Sequence, residues 1–126
     1  MAIRVMVVDD TQHVREMLAT MLELDGFDVV AKVDGGRAAI DSVERSKRKP
    51  NVVVMDYKMP EMDGLAATRR IREIAPDVGV ILYTAYLDDD LEREAKEAGA
   101  ALCLGKVEGL EELERRISEM CITLMS

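Results

Sequence analysis

Residues Ile3-Arg4-Val5-Met6-Val7-Val8-Asp9-Asp10 and Val52-Val53-Val54-Met55-Asp56 decide the fold of this chain. Each is a short apolar run that stops abruptly at a carboxylate. An acid that ends a buried strand has left the packed core and stands at the carboxyl edge of a sheet, where open parallel sheets place their sites. If the two strands are neighbours, Asp9, Asp10 and Asp56 converge on a small volume. At about 4 Å and an effective dielectric near 20, each pair of like charges repels by roughly 4 kcal/mol. A fold tolerates this when a cation sits among the acids or one carboxylate takes a proton. The three aspartates therefore read as a candidate cation site.

Working outward, strand and helix patterns alternate from end to end. After the first strand, Val14, Met17, Leu18, Met21 and Leu22 recur at helical spacing, and Gly26 stops that helix. Phe27 to Val33 reads as a weaker, more amphipathic strand, which suggests an edge. A helix from about Gly36 to Lys49 carries Ala39, Ile40 and Val43, with Pro50 ending it. After Val52–Met55, Asp63 caps a helix whose apolar face includes Ala67, Ile71 and Ile74, and Pro76 terminates it. Val78 to Tyr83 is the fourth strand. The next helix opens with Asp88-Asp89-Asp90 and ends at Gly99; Ala100 to Leu104 is the fifth strand. A last helix shows Leu110, Leu113, Ile117, Met120 and Leu124.

Five strands alternating with five helices imply right-handed crossovers and a parallel sheet covered on both faces. Strands one, three, four and five are near-continuously apolar, which places them centrally. With strand two at the edge, the order 2-1-3-4-5 sets Asp10 beside Asp56. The expected architecture is a flavodoxin-like doubly wound α/β domain of three layers, α/β/α, with residues 1–126 as one domain.

Composition narrows the function. A net charge of −8 repels nucleic acid and anionic lipid, so direct DNA binding by this chain is not expected. Two cysteines, Cys103 and Cys121, give no disulfide framework and read as reduced thiols. No Cys/His cluster suggests zinc. Without a signal peptide or an apolar run long enough to span a membrane, the expected location is the cytoplasm. His13, Ser46-Lys47-Arg48-Lys49 and Asp88-Asp89-Asp90 read as a solvated first-turn residue and as charges that complement helix dipoles. Met17, Met21, Met55 and Met120 are assigned to core faces.

The run Asp56-Tyr57-Lys58-Met59-Pro60-Glu61-Met62-Asp63-Gly64, with Val8-Asp9-Asp10, Thr84-Ala85 and Lys106, resembles the receiver domain of bacterial and archaeal two-component response regulators. The resemblance covers essentially the whole length, and all four motifs stand at the carboxyl ends of their strands. It implies that Asp56 is a phosphoacceptor, served by Thr84 and Lys106. It further implies Mg2+ held by Asp10, Asp56 and the backbone carbonyl of Lys58, with Asp9 acting through a bound water. Helix capping is the plainer role for Asp9 and Asp10, though two adjacent carboxylates exceed what a cap requires. The implied partners are a histidine kinase or histidine phosphotransfer protein, and an unidentified downstream protein. A homodimer contact along the last helix, whose tail runs through Met125, stays open.

The chain departs from the family pattern in two places. Val107 stands where proline commonly follows the lysine, and a cis bond there would cost about 2.5–4 kcal/mol, so a trans bond is expected, with Gly105 supplying loop freedom. Cys103 replaces the usual aromatic switch residue on strand five, leaving either Tyr86 to take over part of that role or no such switch. This ending, with Arg69-Arg70-Ile71-Arg72, looks more like the nitrate-regulator branch than the chemotaxis protein. Lys58 and Tyr86 occupy positions that flank the phosphoryl group and tune its lifetime. Three rivals are weighed: a haloacid-dehalogenase-type phosphatase, which wants acids two residues apart rather than adjacent; a degenerate receiver that takes no phosphate; and the receiver part of a truncated DNA-binding regulator. The chain is read as a stand-alone phosphoacceptor rather than an enzyme, ending at its last helix.

Overall fold

The computed structural model describes the backbone of residues 2–125 and the side chains of residues 2–121. Its strands are β1 (Arg4–Val8), β2 (Asp28–Val33), β3 (Val52–Met55), β4 (Gly79–Thr84) and β5 (Leu102–Gly105). They alternate with helices α1 (Gln12–Leu24), α2 (Gly36–Arg45), α3 (Gly64–Ile74), α4 (Asp89–Ala98) and α5 (Leu110–Met125), with a 3-10 turn at Lys106–Glu108 before α5. All pairings are parallel, and the strand order is β2-β1-β3-β4-β5, as expected from the edge character of β2.

Alternation along the strands builds two cores. Met6, Val8, Val53, Met55, Val80 and Leu82 point to one face and meet Ile40, Ile71 and Leu91 of α2, α3 and α4. Val5, Val7, Val52, Val54, Ile81 and Tyr83 point to the other and join Leu18 and Leu22 of α1 with Leu113 and Ile117 of α5. Because both faces are covered, β3 is buried at all four positions, which is why its sequence is apolar without a break.

Helix ends follow their local chemistry. The Asp63 carboxylate accepts from Ala66 N at 2.9 Å and the Asp88 carboxylate from Leu91 N at 2.8 Å, so both cap as expected. Gly26 (φ 93°) and Gly99 (φ 100°) supply the left-handed residues after α1 and α4. Helix α2 corrects the expected boundary: it ends at Arg45, well before Pro50. Lys49 lies beyond the helix and folds back, its ammonium donating to the carbonyls of Val43 (2.7 Å) and Ser46 (3.2 Å). A lysine donor thus ends the helix by satisfying its last carbonyls.

The methionine assignment also needs correction. Met55 is fully buried and Met120 packs against the α1/α5 core, but Met17 and Met21 are 61% and 41% exposed. The buried stripe of α1 is Leu18, Ala19 and Leu22, and Met17 and Met21 fall on its flank. On α5, Leu113 and Ile117 are buried as expected, while the Leu124 and Met125 side chains lie outside the described residues. Across the α1–α5 seam, burial and the Asp25 carboxylate push the Glu114 carboxyl up to about 7. Among the described residues, one Glu114 oxygen is buried without a hydrogen-bond partner, which a proton shared with Asp25 would satisfy.

Candidate functional site

Strand register assembles the site. Val8 lies opposite Met55, Met55 opposite Leu82, and Thr84 opposite Gly105, so the residues that follow these positions share one edge of the sheet. Two backbone bonds extend the pairing past the strands: Asp56 N donates to the Val8 carbonyl at 3.0 Å and Asp9 N to the Val33 carbonyl at 3.2 Å. Asp9, Asp10 and Asp56 consequently offer carboxylate oxygens that all lie within 4.8 Å of one another.

The three acids are held differently. Asp9 is 3% exposed; its Oδ1 accepts from Thr11 N at 2.9 Å, fixing the turn into α1, while its Oδ2 accepts from the Lys106 ammonium at 3.1 Å. It serves the turn and the site together but does not cap α1, whose N-cap is Thr11 with no side-chain cap bond. Asp10 is exposed at the mouth. Asp56 is partly buried, and its Oδ1 accepts from Tyr57 N at 3.0 Å and from Lys106 at 3.5 Å.

Burial pushes the Asp56 carboxyl up to about 6; Lys106 opposes this, while Asp9 and Asp10 add to it. Burial also works against the charge on Lys106, but Asp56 and Asp9 outweigh it, so its ammonium is held above the usual lysine value. One cation among three acids leaves a surplus of negative charge, and a further cation is the natural complement. An all-oxygen donor set with an open side suits magnesium, which keeps several waters and takes few carboxylates.

The loop after Asp56 is packed against the site. Gly64 N donates to the Tyr57 carbonyl at 2.8 Å, and a Cβ on Gly64 would overlap the Asp56 carbonyl oxygen and sit 2.8 Å from Leu82 Cδ1. Only glycine lets α3 start this close to the strand that carries Asp56. Glu61 takes a left-handed φ of 70° to make the turn.

On the other side, Thr84 is buried and its hydroxyl oxygen accepts from Tyr86 N at 3.0 Å. Tyr86 itself is 61% exposed, with the Lys58 ammonium 4.4 Å from its ring centroid, so the pair spans the mouth between the β3 and β4 loops. Cys103 is half-buried against the α4 side, and burial pushes its thiol up to about 11, leaving it un-ionised. No cis peptide occurs among the described residues, in line with Val107 after Lys106. Gly105 corrects an expectation: its φ of −83° is ordinary, and the left-handed glycine of this loop is Gly109 at φ 88°. A larger cleft of about 730 Å³, beside Arg72, Gly79 and Met120, opens at the amino-terminal edge of the sheet. It lacks the converging acids, so chemistry rather than volume locates the site.

One nearby residue was missed by sequence reasoning. Tyr83 is buried on the α1/α5 face, and the Lys106 ammonium lies 6.0 Å from its ring centroid. Its only signal was an aromatic ring in a strand otherwise made of aliphatic residues, one position before Thr84.

Comparison with known proteins agrees with this geometry. The sequence profile of the response regulator receiver domain matches residues 5–118. The chain belongs to that family. Among its relatives, the response regulator GacA of Pseudomonas viridiflava is 39% identical over 117 residues, which cover 91% of this chain and 53% of GacA. The receiver chain thus spans about half the length of that relative. The chemotaxis protein CheY of Bacillus subtilis is 35% identical over 100 residues, covering 79% of this chain and 82% of CheY. The solved signal receiver domain of the response regulator NarL from Mycobacterium tuberculosis superposes with a TM-score of 0.76 at 32% identity, covering 83% of this chain and 84% of that one. Receiver domains of this family act as signalling phosphoacceptors in two-component systems.

Proposed function

We propose that Asp56 accepts a phosphoryl group from a phosphohistidine on a histidine kinase or histidine phosphotransfer protein. The observation that carries this reading is the convergence of Asp9, Asp10 and Asp56 within 4.8 Å, with Lys106 bridging two of them. Two donors hold Asp56 Oδ1, and in this reading the less engaged Oδ2 makes the attack. The Oδ2–phosphorus bond forms as the phosphorus–nitrogen bond breaks, and the departing imidazole takes up a proton. Asp10, Asp56 and the Lys58 carbonyl would ligate Mg2+, with Asp9 acting through water. The ion would neutralise phosphoryl oxygens during transfer. Lys106 and the Thr84 hydroxyl then turn to the phosphoryl oxygens as donors.

Phosphorylation adds about −1.5 to −2 charges, and Lys106 and Thr84 closing on them bias the surface formed by α4, β5 and α5. The output is altered affinity for a partner protein or for a second copy. The protein turns over no separate substrate and assists only its own phosphorylation and dephosphorylation. Residues 1–126 act as one receiver domain, working in the cytoplasm where a kinase can reach it. Lys58 and Tyr86, stacked across the mouth, shield the acyl phosphate from in-line water and lengthen its lifetime. Incubation with acetyl phosphate and Mg2+ should give an acid-labile adduct that Asp56→Asn abolishes. A pull-down with and without beryllofluoride should recover the downstream partner in the loaded state only. Labelling that persists in Asp56→Asn refutes the site.

A further inference from the structure

The chain's four aromatic rings are Phe27, Tyr57, Tyr83 and Tyr86, and Tyr83 alone is buried. It lies opposite Leu104 in the β4–β5 ladder, next to the Thr84–Gly105 pair that delivers Lys106. Its side chain points away from the α4 layer and into the cluster that holds Leu113 and Ile117 of α5 and Leu18 and Leu22 of α1. The Lys106 ammonium therefore has three neighbours: Asp9 at 3.1 Å, Asp56 at 3.5 Å, and the Tyr83 ring with its centroid at 6.0 Å. The last is at the outer limit of an ammonium–ring attraction, so a small movement of the lysine is enough to break it.

The other residues suited to such a relay are badly placed. Tyr86 is on the surface and engaged with Lys58. Cys103 is a small un-ionised thiol on the α4 side. Lys106, in contrast, opens the 3-10 turn that leads through Gly109 directly into α5. Drawing its ammonium toward new negative charge acts on α5 twice, along the chain and through the ring packed beneath the helix.

We propose that Tyr83 is a positioning residue that senses Lys106 and couples the charge at Asp56 to the packing of α5 and α1. The proposal rests on the reading of Asp56 as phosphoacceptor and adds the route by which that site reaches the α1/α5 layer. With Asp56 unmodified, the ring flanks an ammonium shared between two carboxylates. With phosphate or its mimic in place, the ammonium shifts toward the phosphoryl oxygens, the ring loses its cation, and the α5 contacts readjust.

Nuclear magnetic resonance on the full chain, with and without beryllofluoride and Mg2+, tests this. In the wild type, the Tyr83 ring signals and the α1 and α5 amides shift on loading, together with those around Asp56. Tyr83→Phe keeps the ring face and retains these shifts. Tyr83→Leu still loads and still shifts the amides around Asp56 and Thr84, but loses the α1 and α5 shifts. Should the leucine variant fail to fold, Tyr83→Met fills similar volume without a ring face and is expected to behave the same way. A wild-type adduct that leaves the Tyr83 ring unmoved overturns the proposal alone, as do α1 and α5 shifts that survive in the leucine or methionine variant. A wild type that forms no adduct overturns the phosphoacceptor reading, and this proposal falls with it.

Discussion

Asp56→Asn should stabilise the metal-free protein. The folded site raises this carboxyl from its ordinary value of 3.8 to about 6, chiefly by burial, with Asp9 and Asp10 adding to it. Folded Asp56 thus holds its proton more tightly than the unfolded chain does, and stability falls as pH rises from about 4 to about 6, then levels off. The full difference corresponds to about 3 kcal/mol. Water at the open mouth, where Asp10 is exposed, screens part of it, and Asn also gives up the contact with Lys106. We therefore expect a net gain of about 1–2 kcal/mol above pH 6, or about 4–8 °C in Tm, shrinking to nothing near pH 4. Urea denaturation of both proteins across this pH range, in chelator and followed by circular dichroism, measures the gap. Added Mg2+ should narrow it, because the wild type gains a ligand-linked stabilisation that the variant lacks in part. An Asn variant no more stable than the wild type at pH 8 in chelator would refute the reasoning. So would a gap that ignores pH.

Three further outcomes follow from the same geometry. Lys106→Ala removes the cation that opposes burial, so Asp56 should titrate above about 6, read from its carboxyl carbon by NMR in chelator; a lower midpoint contradicts the assignment. Lys58→Ala and Tyr86→Ala each remove an exposed ammonium–ring contact of about 0.5–1 kcal/mol, so phosphoryl loss should quicken about two- to fivefold. Unchanged dephosphorylation rates in both would rule out the shield. Gly64→Ala forces its Cβ onto the Asp56 carbonyl and Leu82, and should destabilise by about 1–3 kcal/mol in urea melts while slowing phosphorylation. A loss below about 0.5 kcal/mol would show that the loop yields freely.

The places where sequence reading failed have a common cause. Helical spacing put Met17 and Met21 with Leu18 and Leu22, but spacing cannot say how wide an arc the sheet and neighbouring helix will cover. The covered arc on α1 takes in Leu18, Ala19 and Leu22 and stops short of the methionines. Pro50 marked a plausible helix end, yet Lys49 reached back to the last carbonyls and ended α2 at Arg45. Gly105 looked like the flexible residue of its loop, whereas the turn into α5 takes its left-handed φ at Gly109. Each outcome was decided by the folded backbone and its packing, which local patterning does not carry.

The sequence by itself determined the strand order and the edge at which Asp9, Asp10 and Asp56 gather, while Thr84 and Lys106 were picked out by the resemblance to receiver domains. It could do so because burial on both faces of a parallel sheet imposes unbroken apolar runs, and the point where each run breaks marks the sheet's carboxyl edge. Tertiary structure alone decided which charges meet, how far burial lifts Asp56, and that Tyr83 lies beside Lys106 from the opposite layer. Those are matters of distance across strands far apart in the chain, and distance governs both Coulomb energy and desolvation.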